Sequence, residues 1–305
     1  MTRPVAPSHP KRLVYLGTPA MAVPPLEALI DAGFDVALVV SRADKRRGRG
    51  SDLSPSPVKA AALERGIPTT ASLDEAREVG ADLGVVVAYG RLIPPPLLEA
   101  LPMVNIHFSL LPRWRGAAPV ERAILAGDPT TGGCLMEVAP ALDTGAIYAR
   151  REVPIGDTDT LADVQAKLVA AGSALLIEEL TSGLRPPIAQ QGEPTYAEKL
   201  NAEDHRLRFE RSAIELQRVI RLGRAWCCFR GRRLKVCTAD LDLGPTARSG
   251  MAEGPELVVG QLRHGAVATG EGWLRLVEVQ PEGKRPMAAE AWLNGVQPQP
   301  DERLD

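Results

Sequence analysis

The sequence predicts a mostly parallel, Rossmann-like α/β sheet with helices on both faces, followed by a smaller, OB-like β-barrel. Three observations carry that reading. Short strands apolar on both faces, of which Asp82-Leu-Gly-Val-Val-Val87 is the clearest, alternate with helical segments through the first two-thirds of the chain, the mark of a sheet covered on both sides. From Ser182 the composition turns polar and rich in Gly, Pro and Gln without an apolar period, which reads as a connection. Beyond it, brief β-like runs punctuated by glycines fit a small barrel better than a second parallel sheet. With 305 residues and 45% hydrophobic content, the chain can bury one large core or two modest ones, and disorder is excluded as its main state.

In chain order, residues 1–10 are polar and proline-rich and are expected as a flexible leader; they lack the apolar stretch of a secretory signal. A first domain is expected over residues 11–182. It opens with an apolar strand at 12–17 ending in a glycine, then a helix at 20–32 despite Pro24 and Pro25. Strand signals recur at 35–40, 82–87, 104–108, 133–138 and 146–153, with helices at 57–65 and 160–181. Residues 183–206 are expected as a linker. The second domain, 207–305, has a helix at 212–222 and strands at 226–229, 234–238, 257–262, 266–269 and 273–279.

Lys plus Arg number 36 against 38 Asp plus Glu, a net charge of −2, so no overall attraction to nucleic acid or acidic membranes is expected. The distribution says more than the total. Between residues 206 and 235, ten cations face two acids, Glu210 and Glu215, so this stretch carries +8 and the remainder −10. On the 212–222 helix Leu216, Val219 and Ile220 share one face, while Arg218 and Arg221 lie opposite with Arg211 at the start, an outer face suited to phosphates. A second cluster, Arg42, Lys45, Arg46, Arg47 and Arg49, follows the second strand, where a loop overhangs the crevice in which open α/β sheets take ligands. Two basic regions across a linker point to nucleic acid, met through its backbone because few aromatics accompany them. Cys134, Cys227, Cys228 and Cys237 form no Cys-x-x-Cys pair and no His cluster has zinc-ligand spacing, so neither a disulfide framework nor a metal site is expected. No segment has the roughly 18 consecutive apolar residues of a membrane span. A cytoplasmic protein without membrane contact is the expectation.

The strongest constellation is Met103-Val-Asn105-Ile-His107-Phe-Ser109-Leu-Leu-Pro112. In an extended strand Asn105, His107 and Ser109 face one way and Val104, Ile106 and Phe108 the other. Burying an amide and an imidazole in an apolar strand is costly unless both are satisfied, and such strands deliver polar groups to a ligand crevice. Gly17-Thr-Pro19 at the first strand-helix turn lacks the three spaced glycines of a dinucleotide fingerprint, which argues against a nicotinamide site.

Asn105-x-His107 with Ser109-Leu-Leu-Pro112, then Arg115-Gly-Ala-Ala-Pro119 and Leu142-Asp143-Thr-Gly145, resembles the formyltransferases that use 10-formyltetrahydrofolate. The Arg-Gly-Ala-Ala-Pro version is similar to the branch that formylates methionyl-tRNA. The likeness also takes in Gly17-Thr-Pro19, Pro55-Ser-Pro-Val-Lys59, Val86-Val-Ala-Tyr-Gly90 and Tyr196-Ala-Glu-Lys-Leu200, and it weakens beyond about residue 205. The resemblance implies Asn105, His107 and Asp143 as the catalytic set, and it implies a folate donor near Ser109, Leu110, Leu111 and Pro112, with apolar lining from residues 87–92. It further implies initiator methionyl-tRNA as acceptor, with Arg42, Lys45, Arg46, Arg47 and Arg49 at its acceptor end, residues 11–182 as the catalytic domain and 207–305 as a tRNA-binding barrel. No metal is implied, and a monomer is expected. Two other readings stay open at this point: formyl transfer to a small amine such as a sugar nucleotide or glycinamide ribonucleotide, and a non-catalytic RNA-binding protein.

Overall fold

The computed structural model describes residues 4–46, 53–242, 258–299 and 301–305. Two compact units emerge, the first from Met1–Val120, Pro129–Ile155 and Asp163–Glu198, the second from Glu121–Asp128, Gly156–Ala162 and Lys199–Asp305.

The first unit opens with β1 (Arg12–Gly17) and, after a single 3-10 turn, α1 (Val23–Asp31). Pro24 and Pro25 fall in the first helical turn, where no N–H is needed, so they start the helix rather than break it. β2 (Asp35–Val40) follows, then the two-residue ladder of β3 (Lys45–Arg46) with β4 (Leu53–Ser54). α2 (Pro57–Glu64) is capped by Ser56, whose hydroxyl accepts from Lys59 N at 3.1 Å. Next come β5 (Thr69–Thr70), α3 (Glu75–Glu78), β6 (Leu83–Val87), α4 (Pro95–Ala100) and β7 (Met103–His107). β8 (Arg115–Gly116) precedes α5 (Pro119–Ala126), most of which groups with the second unit. β9 (Thr130–Glu137), β10 (Ile147–Pro154), α6 (Leu161–Ser182) and β11 (Tyr196–Ala197) complete the first unit.

Its main sheet runs β10-β9-β7-β6-β1-β2-β5. The five strands from β7 to β5 are parallel, and the sheet turns antiparallel at β9 and again at β10. β6 is buried along its whole length, as an all-apolar strand with both faces covered must be. Strand order reverses between β1 and β6, so the connections after Gly17 and Val87 diverge and open a crevice at the parallel strands' carboxyl ends. On one face Val14, Leu16, Val86 and Met103 pack with Ala76 of α3 and with Leu97 and Leu98 of α4. Ile106 and Phe108 face the other way, against α6 at Gly172.

Two stretches differ from the sequence expectation. In the leader Pro10 is buried and the Ser8 carbonyl accepts from Leu184 N at 2.8 Å. The polar run after Ser182 is fastened to the first unit: Ile188 exchanges both backbone bonds with Ile147, and β11 pairs parallel with β8. Its hold is made of hydrogen bonds, which leave no apolar period to read.

The second unit contains α7 (Ala213–Arg221), β12 (Trp226–Phe229), β13 (Arg232–Asp242), β14 (Leu262–Arg263), β15 (Ala266–Ala268), β16 (Trp273–Pro281), β17 (Met287–Ala288) and α8 (Ala289–Val296). α7 starts in a reciprocal capping box of Ser212 and Glu215 and buries Leu216, Val219 and Ile220. The antiparallel order is β12-β13-β16-β15-β14, with β17 on β16. The C-terminal residues close this sheet into a barrel: Leu304 N donates to Gly260 O at 2.9 Å, and Asp305 and Cys228 exchange backbone bonds at 2.9 and 3.1 Å. Register shifts in β13 between Val236 and Ala239 supply local bending of the kind closure needs. Of the strand expected at 257–262, residue 257 lies outside the described residues and only Leu262 is in a strand. Trp292 of α8 meets Phe229 edge to face at 5.2 Å inside the barrel core.

Candidate active site

Asn105 and His107 lie on the β7 face that carries Met103, at and near the strand's carboxyl end. His107 is buried, its side chain 7% exposed, and its two ring nitrogens meet different groups. Nε2 lies 2.9 Å from the Trp114 carbonyl. Nδ1 lies 3.6 Å from Asp143 Oδ2. The Trp114 carbonyl can only accept, so Nε2 carries a proton there, whereas 3.6 Å from Nδ1 to Asp143 is an ion-pair separation, longer than a hydrogen bond.

Asp143 reaches this place by an indirect route. β9 runs antiparallel to β7, so it ends at Glu137, level with Val104, and the loop that follows folds back towards His107. Asp143 itself has φ +52°, a left-handed conformation that costs a non-glycine residue about 1–2 kcal/mol. Two anchors offset that cost. Gly116 N donates to its carboxylate at 2.8 Å, and Gln190 Nε2 donates to the carbonyls of Asp143 and Gly145 at 2.8 and 2.9 Å. Glycine is required at 145, because a Cβ there would lie 1.9 Å from the Glu137 carbonyl oxygen.

The half-buried side chain of Asn105 has no hydrogen-bond partner among the described residues. An amide with free donors beside an imidazole is a site prepared for a ligand acceptor atom. Leu111, Cys134, Met136 and Ile147 form a small apolar cluster, and Cys134 is the register partner of His107 across β7 and β9. Burial pushes the Cys134 thiol up, against the smaller opposing pull of the Leu111 backbone, so it is no thiolate nucleophile at neutral pH.

The residues expected near a donor behave unequally. β7 ends at His107, so Ser109 lies in a turn rather than on the strand face; it is fully buried and its hydroxyl donates to Arg113 O at 2.6 Å. Leu111 is buried as well, whereas Leu110 and Pro112 keep partial exposure. Within 87–92, Leu92 is 75% exposed and Tyr89 is buried.

Of the basic loop, Arg42 is exposed and donates from Nη2 to Gly90 O at 3.2 Å, across the mouth of the β1–β6 crevice. Lys45 and Arg46 form β3, whereas Arg47 and Arg49 lie outside the described residues. In the second unit several of the cations are engaged. Arg221, expected on an outer face for phosphates, instead donates to the carbonyls of Asp159 and Gly156 at 2.6 and 2.7 Å. Arg230 pairs with Glu302, Arg208 pairs with Glu203, and Arg206 and Arg233 stack on Trp226. A cavity of about 330 Å³ in this unit gathers Arg122, Arg206, Arg208 and Arg211 beside Glu203, Asp204 and Glu215, with Arg122 paired to Asp204 and Arg208 to Glu203.

Gln190 went unrecognised in the sequence because its neighbours suggest a connection, and its partners Asp143 and Arg115 lie 47 and 75 residues away. The carbonyl of Trp114 and the amide of Gly116 are backbone groups, which side-chain patterns cannot reveal. Among the described residues no group of three or more His, Cys, Asp or Glu could hold a metal ion, and no helix is long and apolar enough to cross a membrane.

Comparison with known families gives the class, a formyltransferase. Residues 11–180 match the family described as Formyl transferase, and residues 199–297 match its C-terminal domain. Two solved structures share the fold: an N-formyltransferase from Helicobacter canadensis, in complex with folinic acid and dTDP-3-aminofucose (TM-score 0.65, 18% identity, 89% of this chain and 99% of that one), and HypX from Aquifex aeolicus in complex with tetrahydrofolic acid (0.62, 17%, 94% of this chain). The chain spans about half of HypX, 47% of its length. The methionyl-tRNA formyltransferase of Methylococcus capsulatus is 42% identical over 302 residues, covering 93% of this chain and 96% of its own. The chain therefore belongs to the methionyl-tRNA formyltransferases of the formyl transferase family, and it is an enzyme of the transferase class.

Proposed function

We propose that the protein moves the formyl group of 10-formyltetrahydrofolate to the α-amino group of methionine on initiator methionyl-tRNA. The observation that carries the reading is the convergence of Asn105, His107 and Asp143 on one side of β7, with His107 3.6 Å from the Asp143 carboxylate. In the reaction the amine nitrogen attacks the formyl carbon and a new C–N bond forms. The carbonyl oxygen takes the electron pair. That oxyanion collapses, the bond to the folate nitrogen breaks, the amine loses a proton and the folate nitrogen gains one.

Each residue has a place in that sequence. Asn105 donates its amide N–H to the developing oxyanion, and protonated His107, whose Nε2–H is taken by Trp114 O and whose Nδ1 faces Asp143, adds its positive charge nearby rather than a further hydrogen bond. Asp143 faces Nδ1, orients the ring, and assists removal of the amine proton. Direct attack needs no formyl-enzyme once both substrates are held in line, which agrees with a thiol at Cys134 that burial keeps neutral. The folate lies beside Leu110 and Pro112, the partly exposed members of the 109–112 turn. Residues 11–182 act as the catalytic domain. The basic loop 42–49 meets the acceptor end of the tRNA and the barrel of 207–305 its backbone, an electrostatic grip whose strength falls with salt.

The test is a filter assay of labelled formyl passing from 10-formyltetrahydrofolate to charged initiator tRNA, with uncharged initiator and charged elongator tRNA beside it. Label on the charged initiator alone is the expected result. Label on a small amine in preference to any tRNA, or RNA binding without transfer, overturns it.

A further inference from the structure

Both groups that flank His107 are held by one short segment lying far from them in sequence. Gln190 grips the loop on the Nδ1 side, donating to the carbonyls of Asp143 and Gly145 at 2.8 and 2.9 Å, while its own oxygen accepts from Arg115 Nε and Nη2 at 3.1 and 2.7 Å. Five residues on, Thr195 grips the loop on the Nε2 side. Its hydroxyl accepts from Trp114 N at 2.9 Å, its carbonyl accepts from Arg115 N at 2.8 Å, and its amide donates to Pro112 O at 3.2 Å. Both gripped loops hold residues in left-handed conformations, Asp143 at φ +52° and Trp114 at φ +63°. Such residues persist only where their surroundings over-determine them. β11 then pairs with β8 directly after the grip, and there Gly116 (φ +122°) leaves no space for a Cβ, which would sit 2.8 Å from Ala197 O. Gly116 N is the donor to the Asp143 carboxylate, so the strap reaches Asp143 at its backbone through Gln190 and at its side chain through β8.

We propose that residues 190–197 form a strap that sets both acceptors around the His107 ring, with Gln190 positioning the Asp143 side and Thr195 the Trp114 side. Neither is a catalytic residue; each acts through the loop it holds. The inference rests on the reading of His107 and Asp143 given above. A small displacement of either acceptor misaligns the imidazole, and a misplacement of about 1 Å in a catalytic group costs on the order of a hundredfold in rate.

The experiment uses the full chain with ¹⁵N-labelled histidine, the His107 ring signals being assigned by their loss in His107→Asn. Gln190→Glu keeps the side-chain length and an acceptor for Arg115 but removes both donated bonds; Thr195→Val removes the hydroxyl acceptor, and Thr195→Ser restores it. Expected are a shift of the Nδ1 signal alone in Gln190→Glu, a shift of the Nε2 signal alone in Thr195→Val, and the parent spectrum in Thr195→Ser. In formyl transfer, kcat falls about tenfold to a hundredfold in the first two variants, with KM for both substrates within about twofold of the parent. Ring signals unchanged in both variants, or both nitrogens shifting together in each, overturn the strap. A parent that transfers no formyl group to methionyl-tRNA overturns the proposed function instead, and the nitrogen-specific shifts judge the strap without it.

Discussion

His107 and Arg221 are polar groups of the same chain with opposite fates. His107 sits at the end of an apolar strand, held between two acceptors by loops that come from 7 and 36 residues further along the chain. Beside it the Asn105 amide has no partner among the described residues. Arg221 ends an amphipathic helix in the most basic stretch of the sequence, yet its guanidinium is spent on the carbonyls of Asp159 and Gly156 inside its own unit. Burial even pulls its pKa below the ordinary arginine value, as expected of a cation used in packing. The contrast teaches that a polar residue where burial is costly is a better pointer to chemistry than a cation in a charged run, because the first needs compensation and the second finds partners locally.

The comparison breaks most visibly at β7. His107→Ala and Asn105→Ala are each expected to lower kcat for formyl transfer by about 10²–10³, the usual loss on removing a group that stabilises an oxyanion, by charge for His107 and by a donated N–H for Asn105. Affinity for charged tRNA, measured by gel shift, should stay within about twofold for both. A fall in tRNA affinity matching the loss of rate would move these residues from chemistry to binding.

Next in size is the basic loop. Arg46→Ala combined with Arg49→Ala should raise KM for charged tRNA about tenfold and make log K fall less steeply with log salt, by about one unit for each phosphate contact removed. Folate-donor affinity should not change. Weaker donor binding with unaltered tRNA kinetics would place the loop over the folate instead.

What was legible in the sequence follows the same division. The strands β1, β2, β6 and β7, and the Asn105-x-His107 face, were legible because apolar periodicity and costly polar burial are local signals. Helices α5 and α8 were missed where α2, equally short, was read: Ser56 announces α2 as a capping residue, whereas Ala118 precedes α5 and Ala288 precedes α8, neither with a side chain that can cap. The ring closure through Leu304 and Asp305 was equally invisible, being made of backbone bonds. The route of Asp143 depends on β9 reversing direction, which side-chain patterns do not encode. Gln190 and Thr195 lay in a segment whose composition spoke only of a connection.

A smaller effect tests Arg221 directly. Arg221→Ala should destabilise the fold by about 1–3 kcal/mol, the cost of leaving two partly buried carbonyls without their charged donor, seen as a lower urea midpoint. Salt dependence of tRNA binding should match the parent. A salt slope reduced by about one unit, with unchanged stability, would return Arg221 to the phosphate-facing role its helix position suggested.

Arg230 and Glu302 provide the mildest test, at the closure of the barrel. Their side chains pair at 2.5 and 2.6 Å, next to the Arg303–Asp305 stretch that completes the ring. The Arg230 guanidinium, helped by the Gln299 backbone amide, holds the Glu302 carboxyl down at about 2, against an ordinary 4.5. A carboxyl depressed on folding stabilises above its unfolded pKa and loses that contribution as pH falls through the folded one. The parent should therefore shed this contribution between about pH 4.5 and pH 2, while Glu302→Gln, which has no charge to lose, lacks it at every pH. Because solvent reaches the pair, with the Arg230 side chain 46% and the Glu302 side chain 24% exposed, the difference in Tm at pH 7 should be small, shrink further in high salt, and vanish near pH 2. Parent and variant curves separated by a constant amount from pH 7 to pH 2 would mean that the Glu302 charge contributes nothing and that the ring is held by the backbone bonds of Leu304 and Asp305 and the buried Leu304 side chain.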